Sequence, residues 1–145
     1  MKKTDPPIVV SQTYNTSLSD LWSAITNADR MRKWYFNTIH DFEAREGFEV
    51  VFDVECVGET FPHRWKVTEA IPEKLLKYTW KFDGYEGAAI ATFHLASAGD
   101  ASSLAVSFKT TEDFTAPISQ FQRDACQGGW KYFIEESLKS YLERK

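Results

Sequence analysis

A chain of 145 residues, of which 43% are apolar and 26% charged, has the composition of an ordinary globular protein, and its length predicts a single domain over residues 1–145. The net charge of −4 argues against binding to nucleic acid or to an anionic membrane surface. No apolar run has the length of a signal peptide or a membrane span, so we expect a cytoplasmic protein that does not cross a membrane.

The first part of the chain predicts one strand followed by two short helices. Residues 8–14 are rich in β-branched side chains and follow a proline pair, which is typical of a strand. Ser17 and Asp20 then have the spacing of a helix start in which the Ser17 hydroxyl accepts from the Asp20 amide. Apolar residues recur at helical spacing after this point, so helices are expected over residues 18–26 and 28–33.

From residue 42 onward the apolar residues alternate with polar ones, which predicts strands with one buried face. Glycine-containing turns, such as those at Gly58 and Gly84, separate the alternating segments. Short strands joined by tight turns favour an antiparallel meander. The predicted strands cover residues 42–45, 48–57, 61–68, 76–82, 89–95 and 104–108.

The C-terminal part of the chain predicts a long amphipathic helix that begins near residues 116–120 and ends near residue 143. Ser119 and Gln122 fit a capping box at its start. A curved sheet with one apolar face needs a cover, and this helix is the only predicted element long enough to provide it. The fold class is therefore α+β.

Gly128 and Gly129 interrupt this helix at a cost of roughly 1 kcal/mol each relative to alanine. Two interpretations stay open at this stage. In the first, the missing side chains let the helix pack tightly on the sheet or beside Trp130. In the second, they leave room for a bound molecule between helix and sheet.

Two motifs carry a family resemblance. Residues 17–26 read SLSDLWSAIT and are followed by Trp34, and Gly129-Trp130 precede an apolar run to Leu142. Both motifs resemble the START-like, or SRPBCC, superfamily, and within it the branch named after the C-terminal domain of the activator of heat-shock-protein-90 ATPase. The resemblance spans residues 8–143 and implies the helix-grip fold, in which a curved antiparallel sheet wraps around a long C-terminal helix.

The resemblance also implies two kinds of function. Members of the superfamily hold apolar or aromatic small molecules in a cavity between the long helix and the sheet. In the eukaryotic activator, the domain instead makes a protein contact with a chaperone. A fold by itself does not choose between these functions.

Aromatic residues make up 15% of the chain, which is a high share. A cavity lined by rings with few polar groups suits a flat or aliphatic ligand, whereas the alternative is that the rings fill the space completely. The candidate ligand-binding residues are Trp34, His63, Trp65, Tyr78, Trp80, Phe93, Phe108, Gly129, Trp130 and Phe133.

His63 is in register with Phe61 and Trp65, so it is the best candidate for a polar group inside such a cavity, the alternative being a half-buried histidine hydrogen-bonded near a strand end. The histidines show no metal-ligand spacing, and no nucleophile motif is present, so we assign no metal, no cofactor and no catalytic residue. Cys56 and Cys126 have no C-x-x-C partner and are predicted to be reduced core residues.

We consider three functional hypotheses, ordered from the best supported to the least supported. The first is non-catalytic binding of a small hydrophobic molecule, the second is a chaperone-partner module, and the third is a cyclase or hydratase that uses His63 as acid or base. A homodimer through an exposed sheet edge is compatible with the pattern, although no feature of the sequence requires it.

Overall fold

Six antiparallel strands form one curved sheet in the computed structural model, which describes residues 1–56 and 58–143. They are β1 (Ile8–Tyr14), β2 (Glu49–Cys56), β3 (Glu59–Ile71), β4 (Leu75–Phe82), β5 (Ala88–Ala98) and β6 (Ala101–Glu112). Across the sheet the order is β1-β6-β5-β4-β3-β2. The predicted antiparallel meander is therefore confirmed. β1 pairs with β6, the last strand of the meander.

The alternating sequence puts one face of the sheet against the core. In β4, Leu76, Tyr78 and Trp80 are buried while the residues between them are partly exposed. The same alternation in β3 buries His63 and Trp65. Since successive side chains of a strand point to opposite faces, all these side chains lie on the concave side of the sheet.

Two short helices follow β1, as predicted. The Ser17 hydroxyl accepts from the Asp20 amide at 3.1 Å at the start of α1 (Leu18–Thr26). Asn27 caps α2 (Ala28–Trp34) in the same way, because its side-chain oxygen accepts from the Arg30 amide at 3.2 Å. These side-chain bonds satisfy amides that have no partner inside the helix.

The C-terminal helix has three successive parts that cover residues 123–143, and we call it the terminal helix. They are α3 (Arg123–Lys131), a π-helical segment (Tyr132–Ser137) and α4 (Leu138–Glu143). Trp130, Ile134, Leu138 and Leu142 form its buried face. The expected α+β helix-grip architecture is thus present. No helix within the described part of the chain is long and apolar enough to cross a membrane.

Two predicted boundaries are wrong, and one falls outside the described residues. Residues 42–45 do not form a strand, because local bonds such as Arg45 N–H to Glu43 O take up the backbone while the Phe42 side chain enters the core. Ser119 does not cap the terminal helix: residues Ser119–Phe121 form a 3₁₀ turn, and Gln122 precedes α3 without a side-chain cap. Val57, the last residue of a predicted strand, lies outside the described residues.

Candidate functional site

A cavity of about 340 Å³ lies between the terminal helix and the concave face of the sheet. Most of its wall is apolar, and several of the lining side chains are half-buried, so the cavity opens to solvent. Its size is at the lower end of the range for small-molecule sites, about 300–1,000 Å³. The lining residues are Met1, Phe36, Val54, Cys56, Phe61, His63, Trp80, Phe82, Phe108, Gln120, Ala125, Cys126, Gly129, Trp130 and Phe133.

Three other clefts, of about 410, 590 and 510 Å³, are larger but have a different character. Polar or charged residues form much of their walls, for example Glu135, Glu136 and Lys139 on the outer face of the terminal helix. Small-molecule sites are mostly apolar and concave. The cavity beneath the terminal helix is therefore the candidate site.

The structure divides the ten candidate residues into two groups. Six of them line the cavity: His63, Trp80, Phe108, Gly129, Trp130 and Phe133. The other four are 0–2% exposed and belong to the packed core away from the cavity wall: Trp34, Trp65, Tyr78 and Phe93.

The polar atoms of these core rings mostly find partners within the protein. The Tyr35 and Tyr78 hydroxyls share a hydrogen bond of 2.9 Å, and burial raises the pKa of both phenols. The Trp34 indole N–H donates to the Ala24 carbonyl at 2.8 Å. Only Trp65 Nε1 is fully buried without a partner among the side-chain nitrogen and oxygen atoms described. Apart from Trp65, these rings therefore need neither ligand nor water to satisfy their polar atoms.

His63 is the one histidine among the described residues of the cavity wall. It is buried rather than half-buried, and it lies inside β3 rather than near a strand end. Its Nδ1 lies 2.9 Å from the Phe61 carbonyl oxygen of the same strand, and the ring is only 6% exposed. Burial lowers the pKa of His63 to about 4, although the Phe61 carbonyl and the charge of Asp53 act in the opposite direction. The imidazole is therefore neutral at pH 7.

Aromatic rings surround the His63 imidazole. The ring centroids of Phe36, Phe52, Trp80 and Phe82 lie 4.6–5.4 Å from its own. These rings carry no charge, and burial therefore outweighs the Phe61 carbonyl and the charge of Asp53 in setting the pKa of His63.

The glycine pair does not mark a tight contact between helix and sheet. A β-carbon added at Gly128 or Gly129 would meet no atom within 4 Å. Gly128 is exposed, whereas Gly129 lines the cavity. Of the two interpretations of the pair, tight packing is therefore wrong, and the space at Gly129 is part of the cavity.

The cysteines were expected in the core but are half-buried at the cavity wall instead. Both thiols are free, and the Gln120 amide donates to Cys56 Sγ at 3.2 Å. Burial raises the pKa of the Cys126 thiol to about 12, so it remains protonated and unreactive at neutral pH. The apolar patterns of β2 and of the terminal helix placed them on the correct faces but did not reveal how near the rim they lie.

Several lining residues were not among the candidates predicted from the sequence. Phe61 and Phe82 share the inward register of His63 and Trp80, so the alternation contained a signal for them. Met1 carried no such signal. It reaches the rim because the N-terminal segment folds back, with the Phe114 amide donating to the Met1 carbonyl at 2.9 Å.

No three His, Cys, Asp or Glu side chains within residues 1–56 and 58–143 come together in a way that could hold a metal ion. No ion pair of the described residues lies in the cavity either, since none of their partners is among the lining residues. The site offers rings, two thiols, one amide, one neutral imidazole and Met1, whose ammonium donates to the Phe121 carbonyl at 3.0 Å.

A curved antiparallel sheet closed by a long C-terminal helix, with an apolar cavity between them, defines a protein of the helix-grip class. The family model described as "Activator of Hsp90 ATPase homolog 1-like protein" matches residues 15–143, and the chain belongs to this family.

Solved structures with the same fold share little sequence with this chain. Protein CV1439 from Chromobacterium violaceum has a TM-score of 0.78 at 19% identity, covering 96% of this chain and 98% of that one. The Aha1 dimer from Colwellia psychrerythraea has 0.73 at 20%, covering 97% and 98%. DynU16, from the dynemicin biosynthetic locus, has 0.74 at 21%; 97% of this chain matches 48% of DynU16. No curated protein matches the chain.

Proposed function

We propose that this protein binds a small apolar or aromatic molecule, without catalysis, in the cavity beneath the terminal helix. The observation that carries the proposal is the open, ring-walled space at Gly129, where neither the helix nor the sheet fills the gap. Half-buried rings such as Phe36, Phe82 and Phe133 face this space. A ligand that covered them would gain roughly 25 cal/mol per Å² of apolar surface removed from water.

The shape of the cavity supports a compact ligand. A volume of about 340 Å³ suits a molecule of a few rings rather than a long lipid chain. Trp80 and Trp130 lie on the wall with their ring centroids 5.6 Å apart, so binding would change tryptophan fluorescence.

The two glycines provide a matched test. Gly129→Leu places a side chain in the cavity, whereas Gly128→Leu places the same side chain on the exposed surface one residue away. Both substitutions improve helix propensity, so both proteins should fold. We expect Gly129→Leu to weaken binding of neutral phenyl-naphthylamine by about tenfold or more, because it fills the space, and Gly128→Leu to leave binding unchanged. Equal binding by the wild type and both variants, or binding by none of them, would contradict the proposal.

Acid–base catalysis by His63 is less well supported. An imidazole whose pKa is about 4 is a weak base at neutral pH and holds no proton to donate as an imidazolium. Among the described residues, no carboxylate lines the cavity to assist it. The geometry therefore favours binding over proton transfer.

Family membership supports a second candidate, the contact with a chaperone. The measurement that tests it is the ATPase rate of a purified heat-shock-protein-90 chaperone with and without this protein. An unchanged rate over a wide range of protein concentrations would remove this candidate and leave the cavity proposal untouched.

A further inference from the structure

The hydrogen bond at His63 fixes which ring nitrogen carries the proton. A carbonyl oxygen only accepts hydrogen bonds, so the 2.9 Å contact with Phe61 O requires that Nδ1 carries the hydrogen and donates it. In a neutral imidazole the other nitrogen then has a lone pair and no hydrogen. His63 Nε2 is thus a hydrogen-bond acceptor.

This acceptor has no partner in the described part of the chain. The hydrogen bonds of His63 involve Nδ1 alone. Within residues 1–56 and 58–143, Trp65 Nε1 is the one side-chain nitrogen or oxygen that is both fully buried and unbonded. The unbonded Nε2 therefore still has surface accessible to solvent. His63 lines the cavity and is otherwise enclosed by rings, and Nε2 therefore meets solvent there.

Two other polar groups of the wall already have hydrogen-bond partners. The Gln120 amide nitrogen donates to Cys56 Sγ, and the Met1 ammonium donates to the Phe121 carbonyl at 3.0 Å. A buried acceptor that loses its water without gaining a donor destabilises the complex. A ligand that covers Nε2 must therefore supply a donor or lose affinity.

We propose that the cavity selects neutral aromatic molecules with a hydroxyl group, of the phenol or naphthol type, whose hydroxyl donates to His63 Nε2. The inference rests on the proposed function and adds the class of ligand. Hydrocarbons of the same shape leave the acceptor unpaired. Carboxylates only accept hydrogen bonds and have no hydrogen to donate to Nε2.

The test compares naphthol with its methyl ether, which keeps the rings and removes the donor. Binding of each is measured by tryptophan fluorescence and calorimetry, on the wild-type protein and on His63→Leu. The ratio of the two affinities in each protein cancels the intrinsic hydrophobicity of the probes. We expect the preference for naphthol to fall by several-fold to about tenfold in His63→Leu, which is the value of one hydrogen bond.

A second measurement needs no variant and stays informative if His63→Leu does not fold. Nitrogen NMR of the wild-type imidazole distinguishes the two tautomers, and the Nε2 signal should shift on addition of naphthol but not of the ether. A hydrogen on Nε2 instead of Nδ1, or equal shifts with both probes, overturns the inference.

The outcomes distinguish a failure of the hydroxyl preference from a failure of the proposed cavity function. If both probes bind and the affinity ratio is the same in both proteins, the inference about the hydroxyl is wrong while the cavity function stands. If neither probe binds the wild-type protein and phenyl-naphthylamine also fails to bind, the proposed function itself is wrong.

Discussion

The burial of His63 has a consequence for the stability of the folded chain. Its pKa is lowered from 6.5 to about 4, chiefly because burial disfavours the charged imidazole. Above pH 6.5 the ring is neutral in the folded and unfolded states alike and contributes no pH dependence. Between about pH 6.5 and pH 4 the unfolded chain binds a proton that the folded chain does not, so stability falls as the pH falls.

We expect this loss to amount to about 3 kcal/mol between pH 7 and pH 4, since each pKa unit corresponds to about 1.4 kcal/mol. His63→Phe removes the titrating group and should make the free energy of unfolding flatter across that window. Urea unfolding at a series of pH values measures both proteins.

Two carboxyl groups provide the internal reference for this experiment. Despite partial burial, hydrogen bonds from Thr16 and Arg30 lower the pKa of Asp20, and the Arg64 guanidinium lowers that of Asp83. Their contribution is lost at lower pH than that of His63, and it is the same in both proteins. Identical slopes for wild type and variant between pH 6.5 and pH 4 would contradict the burial argument.

At the scale of the element, the terminal helix has an unusual spacing of its buried residues. Trp130, Ile134, Leu138 and Leu142 recur at intervals of four. In an α-helix each such step advances the face by about 40°, because successive residues turn about 100°. The π-helical segment Tyr132–Ser137 holds more residues per turn, and the Leu138 amide accordingly donates to the Phe133 carbonyl. The π-helical segment thus keeps Trp130 and Ile134 on the same face of the terminal helix as Leu138 and Leu142.

Deletion of the exposed Glu136 should therefore be tolerated. It converts the interval from Ile134 to Leu138 from four residues to three, which an ordinary α-helix accommodates on one face. We expect the free energy of unfolding to change by no more than about 1 kcal/mol, because both halves of the face remain buried.

The matched control is insertion of one alanine after Glu136. The interval then becomes five residues and turns Leu138 and Leu142 away from the sheet. The loss of one buried leucine side chain alone costs about 2–5 kcal/mol, so this variant should be strongly destabilised in the same urea titration. Similar stabilities of the two variants would show that the π-helical segment does not set the register.

At the scale of the whole molecule, the N-terminal segment completes the rim of the cavity. Met1 lines the cavity, and the Lys3 amide donates to the Asp113 carboxylate at 2.7 Å. The Lys109 ammonium on β6 donates to the Lys3 carbonyl at 2.8 Å and also to the Asp5 carbonyl. These bonds join residues more than a hundred positions apart in sequence and hold the segment against the sheet.

Lys109→Met keeps the aliphatic stem but removes the ammonium that holds this segment. We expect phenyl-naphthylamine to dissociate several-fold faster from this variant, because a looser rim opens more often. Stopped-flow fluorescence measures the rate.

Lys81→Met is the control for this experiment, because Lys81 has no hydrogen bond to the N-terminal segment among the described residues. It should leave the dissociation rate at the wild-type value. Equal rates for all three proteins would mean that the segment does not gate the cavity.

The sequence by itself determined the class of fold and most of its elements. Alternation in the strands, the Ser17 cap and the apolar face of the terminal helix each have a local physical cause, and all three are present in the structure. Where local bonds competed, as at residues 42–45 and at Ser119, the same rules gave the wrong boundary.

The tertiary structure alone decided which rings line the cavity and which fill the core. Trp65 and Trp80 are paired on neighbouring strands and share the inward face, yet only Trp80 reaches the cavity. Periodicity specifies the face on which a side chain lies, but its depth depends on how the helix crosses the sheet. That crossing is fixed by contacts between residues far apart in the sequence, and for this reason no local pattern contained it.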